Sequence, residues 1–179
     1  MKRAFLSVVL LVGTFLVLPA SPATAAPYCG LVWGSLAESA PGMSQAPVEN
    51  VRTGRHTCYD RLVIDVRGDV GGYTVAYVPQ VLQDGSGFPI ATRGGAALQI
   101  AVNDPAYTHN YVPTYYPANE LELTDVAGYR TFRQVVYAGS YEGYTSIGLG
   151  VRARLPFRVF VLDGPGTSSR VVVDVAHRW

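Results

Sequence analysis

The chain has 179 residues, 49% hydrophobic and 15% charged, with 14 basic residues against 13 acidic ones and a formal net charge of +1. This near balance gives no electrostatic case for binding nucleic acid or an anionic membrane. Its length suits one domain with a real core and is too small for two.

Residues 1–25 read as a signal peptide: Met1-Lys2-Arg3 is a short basic start, 4–18 is an apolar run, and Ala23-Thr24-Ala25 is a small-residue cleavage site. The run is short and soon followed by Pro19 and Pro22, so no transmembrane anchor is expected after cleavage. No paired arginines precede it, which points to general export rather than the twin-arginine route. Cys29 follows Pro27-Tyr28 instead of the small residues of a lipoprotein signal. The expected product is secreted, extracellular or cell-wall associated, with about 154 residues. Its 12 basic residues are all arginine and face 13 acids, a net charge near −1.

Residues 26–56 are expected to form an irregular N-terminal arm, because Pro41, Gly42, Pro47 and Gly54 interrupt any regular pattern, with at most a helical turn over 45–50. Cys29 and Cys58 are the two cysteines, and an even count in an exported chain favours a disulfide. Such a bond stabilises by about 3–4 kcal/mol in the chain-entropy model. His56-x-Cys58-x-Asp60 has ligand-type residues, but no second cluster completes it, so no metal site and no cofactor is expected.

From Tyr59 onward the apolar pattern has period two, punctuated by Gly and Pro. It places strands over 61–67, 73–79, 96–102, 133–137, 145–155, 157–162 and 170–177, with a possible helical turn over 118–123. About seven or more short strands make an all-β, two-sheet β-sandwich over 57–179. Arg61-Leu-Val-Ile-Asp-Val66 is echoed by Arg170-Val-Val-Val-Asp-Val175. In each copy alternate residues share a face: Leu62, Ile64 and Val66, or Val171, Val173 and Val175, belong to the core, and Val63 and Val172 fall on the solvent side. The echo suggests two related sheets closing on one core.

Two segments stand out as candidate sites. Residues 104–119 carry Tyr107, Tyr111, Tyr115 and Tyr116 among Pro105, Pro113 and Pro117. This is either a functional loop or one whose tyrosines lie back on the sheet as a satellite core. In 141–155, Thr145, Ile147, Leu149, Val151, Ala153 and Leu155 share the core parity, while Tyr144, Ser146, Gly148, Gly150, Arg152 and Arg154 share the other. Gly148 and Gly150 leave a bare strip that either receives a ligand or lies beneath a bulky neighbour. On the first reading the ligand-binding residues are Tyr141, Glu142, Tyr144, Arg152 and Arg154, with the four loop tyrosines as second candidates.

No catalytic constellation is legible. Gly143-Tyr-Thr-Ser146-Ile-Gly148 has the wrong spacing for a nucleophile elbow. None of His56, His109 and His177 has a neighbouring acid and nucleophile in the sequence. Paired carboxylates are not fixed by sequence, and surface pairing with Arg61 and Arg170 accounts for Asp65 and Asp174. The chain is therefore expected not to be an enzyme.

The strings His56-Thr-Cys-Tyr-Asp-Arg-Leu-Val-Ile-Asp-Val66, Gly85-Ser-Gly87, Tyr141-Glu-Gly143, Gly148-Leu-Gly150, Pro156-Phe-Arg-Val-Phe-Val-Leu-Asp-Gly164 and Arg170-Val-Val-Val-Asp-Val-Ala-His177 occur in this order. Together they resemble the AMIN-like domain of exported actinobacterial proteins over residues 57–178. That family resembles the AMIN domain, a β-sandwich that binds peptidoglycan in cell-wall amidases. The resemblance implies a non-catalytic binding module whose partner is a cell-wall glycan or a cell-envelope protein. The rival expectation is an extracellular protein-interaction or inhibitor module using a strand edge or the tyrosine loop.

Overall fold

The computed structural model describes residues 27–179, so the expected signal peptide lies outside the described residues. Tyr28–Gly30 form a single 3-10 turn. Eleven strands follow: β1 Glu38–Ala40, β2 Val48–Arg55, β3 Tyr59–Val66, β4 Tyr73–Val78, β5 Val81–Leu82, β6 Pro89–Ile90, β7 Ala96–Val102, β8 Phe132–Tyr141, β9 Tyr144–Val151, β10 Phe157–Asp163 and β11 Ser169–Ala176. They build an antiparallel five-stranded sheet in the order β1-β4-β7-β9-β8 and an antiparallel four-stranded sheet in the order β10-β11-β3-β2, with β5 and β6 as a separate small pair. No helix among the described residues is long and apolar enough to cross a membrane.

The two sheets pack face to face. Leu62, Ile64, Val66, Val171, Val173 and Val175 from the four-stranded sheet share one buried cluster with Leu98, Ile100, Val135, Ile147 and Leu149 from the five-stranded sheet. Period-two alternation delivers these side chains to one face, and the apolar area they remove from water is the main driving force.

The repeated motif is placed differently from what its echo suggests. Its copies, β3 and β11, are antiparallel neighbours in one sheet, with Arg61 opposite Asp174 and Asp65 opposite Arg170. An Arg-x-x-x-Asp pattern run antiparallel against itself sets each arginine beside the other copy's aspartate, so it is self-complementary. Asp174 binds Arg61 and also Arg158 from β10, whereas Asp65 pairs with Arg52 from β2. Val63 and Val172 correct a further expectation. They are 6% and 1% exposed, because these long charged side chains and Phe160, which lies opposite Val172, cover the outer face.

The arm is also more regular than expected. Its β1 pairs with β4 and its β2 with β3, and neither 45–50 nor 118–123 is helical. Cys29 and Cys58 are bonded, tying the chain ahead of β1 to the start of β3. Replacing both by serine is expected to lower stability by about 3–4 kcal/mol. Because β1 and β2 keep their strand partners, faster amide exchange should be confined to the residues before β1. A loss below about 1 kcal/mol in urea titration would count against this.

Candidate functional site

The glycine strip of β9 is not an open trough. Residues 79–95, which include β5 and β6, cross the outer face of the five-stranded sheet as a strap. A Cβ on Gly148 would lie 2.6 Å from a methyl of Val136 and 2.7 Å from one of Val81, and a Cβ on Gly150 would lie 2.1 Å from the carbonyl oxygen of Arg93. Val81 packs with Ala97, Val136 and Ala138 in a second small core. Gln99 exchanges hydrogen bonds with the backbone of Leu82, and Gln134 accepts one from the amide of Arg93. The glycines are present because the strap approaches the sheet too closely for side chains.

The five first-choice residues divide between the two ends of β9. Arg152 donates to the carbonyl of His177, and Arg154 donates to the carbonyl of Ser35 at 2.9 Å while its guanidinium lies 4.6 Å from the centre of the Tyr77 ring. Both arginines tie terminal segments to the sheet. Tyr141, Glu142 and Tyr144 lie at the opposite tip, roughly 23 Å away at the rise of a strand.

At that tip the structure joins the first-choice and second-choice residues into one cleft. The cleft has a volume of about 580 Å³, and its walls include Tyr107, Tyr111, Tyr115, Tyr116, Tyr137 and Tyr141, with Glu120 and Glu142 also lining it. That is within the roughly 300–1,000 Å³ range of small-ligand sites. Tyr144 sits across the hairpin, in a smaller hollow with Tyr141, Glu142, Asp84 and Ser146.

Local hydrogen bonding builds the walls. The tyrosine loop folds back on itself through an isolated bridge between Tyr107 and Pro113, and Thr114 donates from its amide to Ala106 and from its hydroxyl to the carbonyl of Val48. The amide of Ala106 donates to Ser140 Oγ at 2.9 Å, and the amide of Gly143 donates to Tyr107 Oη at 2.9 Å, fastening the loop to the β8–β9 hairpin. On the other side the carbonyl of Glu120 accepts from the amide of Tyr137, so residues 119–123 cover the edge of β8 and carry Glu120 to the rim.

Within the cleft Tyr107 and Tyr111 are stacked with ring centres 5.7 Å apart, and Tyr115 meets Tyr137 edge-on at 5.7 Å. Tyr115 and Tyr137 lie back against the main core, whereas Tyr111 and Tyr116 are 80% and 85% exposed. The loop is thus satellite core at one tyrosine and open surface at two others. Burial pushes the Tyr115 phenol up to about 12. Tyr137 is also pushed up to about 12, first by burial and then by the negative charges of Glu120 and Asp84. Both phenols therefore remain neutral hydrogen-bonding groups through the physiological range.

Backbone strain concentrates here too. Among the described residues three non-glycine positions have positive φ, and two of them line the cleft: Tyr111 at 61° and Glu142 at 48°. Glu142 and Gly143, at 85°, form the two-residue link between the paired Tyr141 and Tyr144, a turn that favours Asn-Gly or Asp-Gly. A glutamate there costs conformational energy that asparagine avoids. Glu142→Asn is expected to raise stability by about 0.5–1 kcal/mol in thermal or urea unfolding. An unchanged midpoint would show the turn to be unstrained.

Sequence reasoning missed a polar cluster at the far end of the sandwich. Asp60 accepts from the amides of Thr131 at 2.6 Å and Phe132 at 3.2 Å, and its other oxygen lies 3.2 Å from His177 Nε2. His177 therefore does have an acid neighbour, reached through β3–β11 pairing. The Thr131 hydroxyl in this cluster is taken up by the carbonyl of Ala176, and the arrangement is almost wholly buried, so it ties the two sheets together as a strut. Of the ligand-type residues in His56-x-Cys58-x-Asp60, Cys58 is in the disulfide and Asp60 in this strut, and among the described residues no group of three or more His, Cys, Asp or Glu is placed to hold a metal ion.

No curated protein and no solved structure matches the chain. The family model for the AMIN-like domain matches residues 46–177, from just ahead of β2 to just beyond β11, and so takes in every strand but β1, together with the tyrosine loop and the hairpin tip. The chain belongs to the AMIN-like domain family.

Proposed function

We propose that this protein is a secreted, non-catalytic binding module of the cell envelope that holds peptidoglycan or another cell-wall glycan in the tyrosine cleft. The observation that carries this reading is the cleft itself: six tyrosines converge on one hollow at the hairpin tip, and two of them stay largely exposed. Tyrosine offers a flat apolar face to the C–H face of a sugar and a hydroxyl to its polar edge. The strained backbone at Tyr111 and Glu142 fits a functional surface, since strain of this kind clusters at ligand-holding sites. Membership of the AMIN-like family supports a wall-binding role, and the disulfide fits an oxidising compartment.

The test is co-sedimentation with purified sacculi stripped of protein. Wild-type protein is expected to pellet with them. The double variant Tyr111→Ala with Tyr116→Ala should lose about tenfold or more in affinity, a drop of ~1.4 kcal/mol or greater. Both side chains are exposed, so the unfolding free energy should change by less than about 0.5 kcal/mol. Sedimentation by the folded double variant equal to wild type would remove the cleft as the site. Capture only from envelope extract that retains its proteins would favour the protein-interaction reading.

A further inference from the structure

We infer that the tyrosine cleft selects a sugar bearing a free, protonated amino group, of the glucosamine type, over its N-acetylated or acidic counterparts. This rests on the glycan reading of the same cleft and goes beyond it by assigning the charge of the preferred ligand.

The argument is charge complementarity at a hollow that is already shaped. Among the described residues that line the cleft there is no Arg, Lys or His, whereas Glu120 and Glu142 stand exposed on its rim. The arginines of β8 and of the strap are committed elsewhere. Arg93 is paired with Glu122 and also donates to the carbonyl of Arg133, and Arg133 donates to the carbonyls of Tyr129 and Phe132. Arg152 and Arg154 are at the far end of β9.

Across the hairpin, Asp84 adds a third carboxylate: one oxygen accepts from Ser146 Oγ at 2.9 Å, and the other is buried without a partner. The Tyr137 phenol registers this field, being raised partly by Glu120 and Asp84. The tyrosine faces act in the same sense, because the face of an aromatic ring is its negative region and attracts a cation. A muramyl carboxylate entering the cleft would meet the like charges of Glu120 and Glu142 and no cation in the lining, and an N-acetyl group would leave the carboxylates without a cation. An ammonium on the sugar ring satisfies both the rim and the rings.

The test uses the full exported chain and two uncharged-backbone probes, a glucosamine tetramer and an N-acetylglucosamine tetramer. Titration calorimetry at about pH 6, below the ordinary range of an α-amino group, keeps the amines protonated. The glucosamine tetramer is expected to bind about tenfold or more tightly at low salt. That ratio should fall towards one in the variant Glu120→Gln with Glu142→Gln, and fall as salt is added.

Equal or tighter binding of the N-acetylated tetramer would overturn the inference while leaving a glycan-binding cleft in place. Binding of neither tetramer would overturn the glycan reading together with it. Undiminished glucosamine binding by the Tyr111→Ala, Tyr116→Ala variant would mark non-specific attraction to surface carboxylates and would also overturn the inference.

Discussion

Replacing Asp60 by alanine is expected to lower the unfolding free energy by about 3–5 kcal/mol, because it orphans two buried backbone donors at once. Asp60 belongs to the four-stranded sheet and is 1% exposed, yet the amides it accepts, those of Thr131 and Phe132, start β8 of the opposite sheet. Its removal also strips His177 of its partner, and His177 is 8% exposed with Nδ1 already unpaired. Thr131 donates to the carbonyl of Ala176 and Arg152 to that of His177, so several polar struts converge on this spot. Both amides donate to the same oxygen, so Asp60→Asn keeps an acceptor for both and should cost less, about 1–2 kcal/mol. Urea titration of both variants decides the matter; an alanine variant within about 1 kcal/mol of wild type would mean that water replaces the carboxylate.

The strands that were legible are those whose alternation is unbroken. The strand expected over 96–102 matches Ala96–Val102 residue for residue, and the one over 73–79 ends a single residue late. β2 escaped notice because a bulge between Val48 and Asn50 inserts a residue, so Val48 and Val51 both reach the core although they are three apart. One extra residue is enough to disguise a strand as irregular sequence. β9 was read four residues too long, to 155; the amide of Arg152 leaves the ladder for the carbonyl of Thr131, and Pro156 carries no donor.

The site was legible in parts and not as a whole. Tyrosines in a proline-rich loop and a Tyr-Glu-Gly-Tyr hairpin each marked themselves by composition, but what fuses them is a pair of hydrogen bonds spanning 34 and 36 residues, Ala106 to Ser140 and Gly143 to Tyr107. No local pattern encodes such a contact. The glycine strip left both a ligand and a covering neighbour open in the sequence: Gly148 and Gly150 signal a close approach, and the approaching body is residues 79–95 of the same chain. The hairpin itself held a usable clue. Glu-Gly stands between two paired tyrosines where Asn-Gly is the unstrained choice, and a residue that breaks a local rule marks a place to look for function.

The repeated motif permits a controlled comparison, because Asp65 and Asp174 hold equivalent places in copies that differ in burial. Asp174 is wholly buried and receives Nε and Nη2 donors from both Arg61 and Arg158, whose side chains are only 21% and 26% exposed. Aromatic rings enclose these guanidiniums: Arg158 lies over Trp33, Tyr59 and Phe160, and Arg61 over Tyr59 and Phe160. Asp174→Ala would leave two neighbouring, partly desolvated cations with no counterion, and is expected to cost about 3–5 kcal/mol. Asp65 meets an Arg52 that is 48% exposed, and Asp65→Ala should cost less than about 1 kcal/mol. Replacing Asp174, Arg61 and Arg158 together by apolar residues of similar volume should recover most of the larger loss, since the desolvation cost of the triad disappears with its charges. Equal destabilisation by the two aspartate variants would show that burial does not set the difference, and that the two copies contribute alike through strand pairing alone.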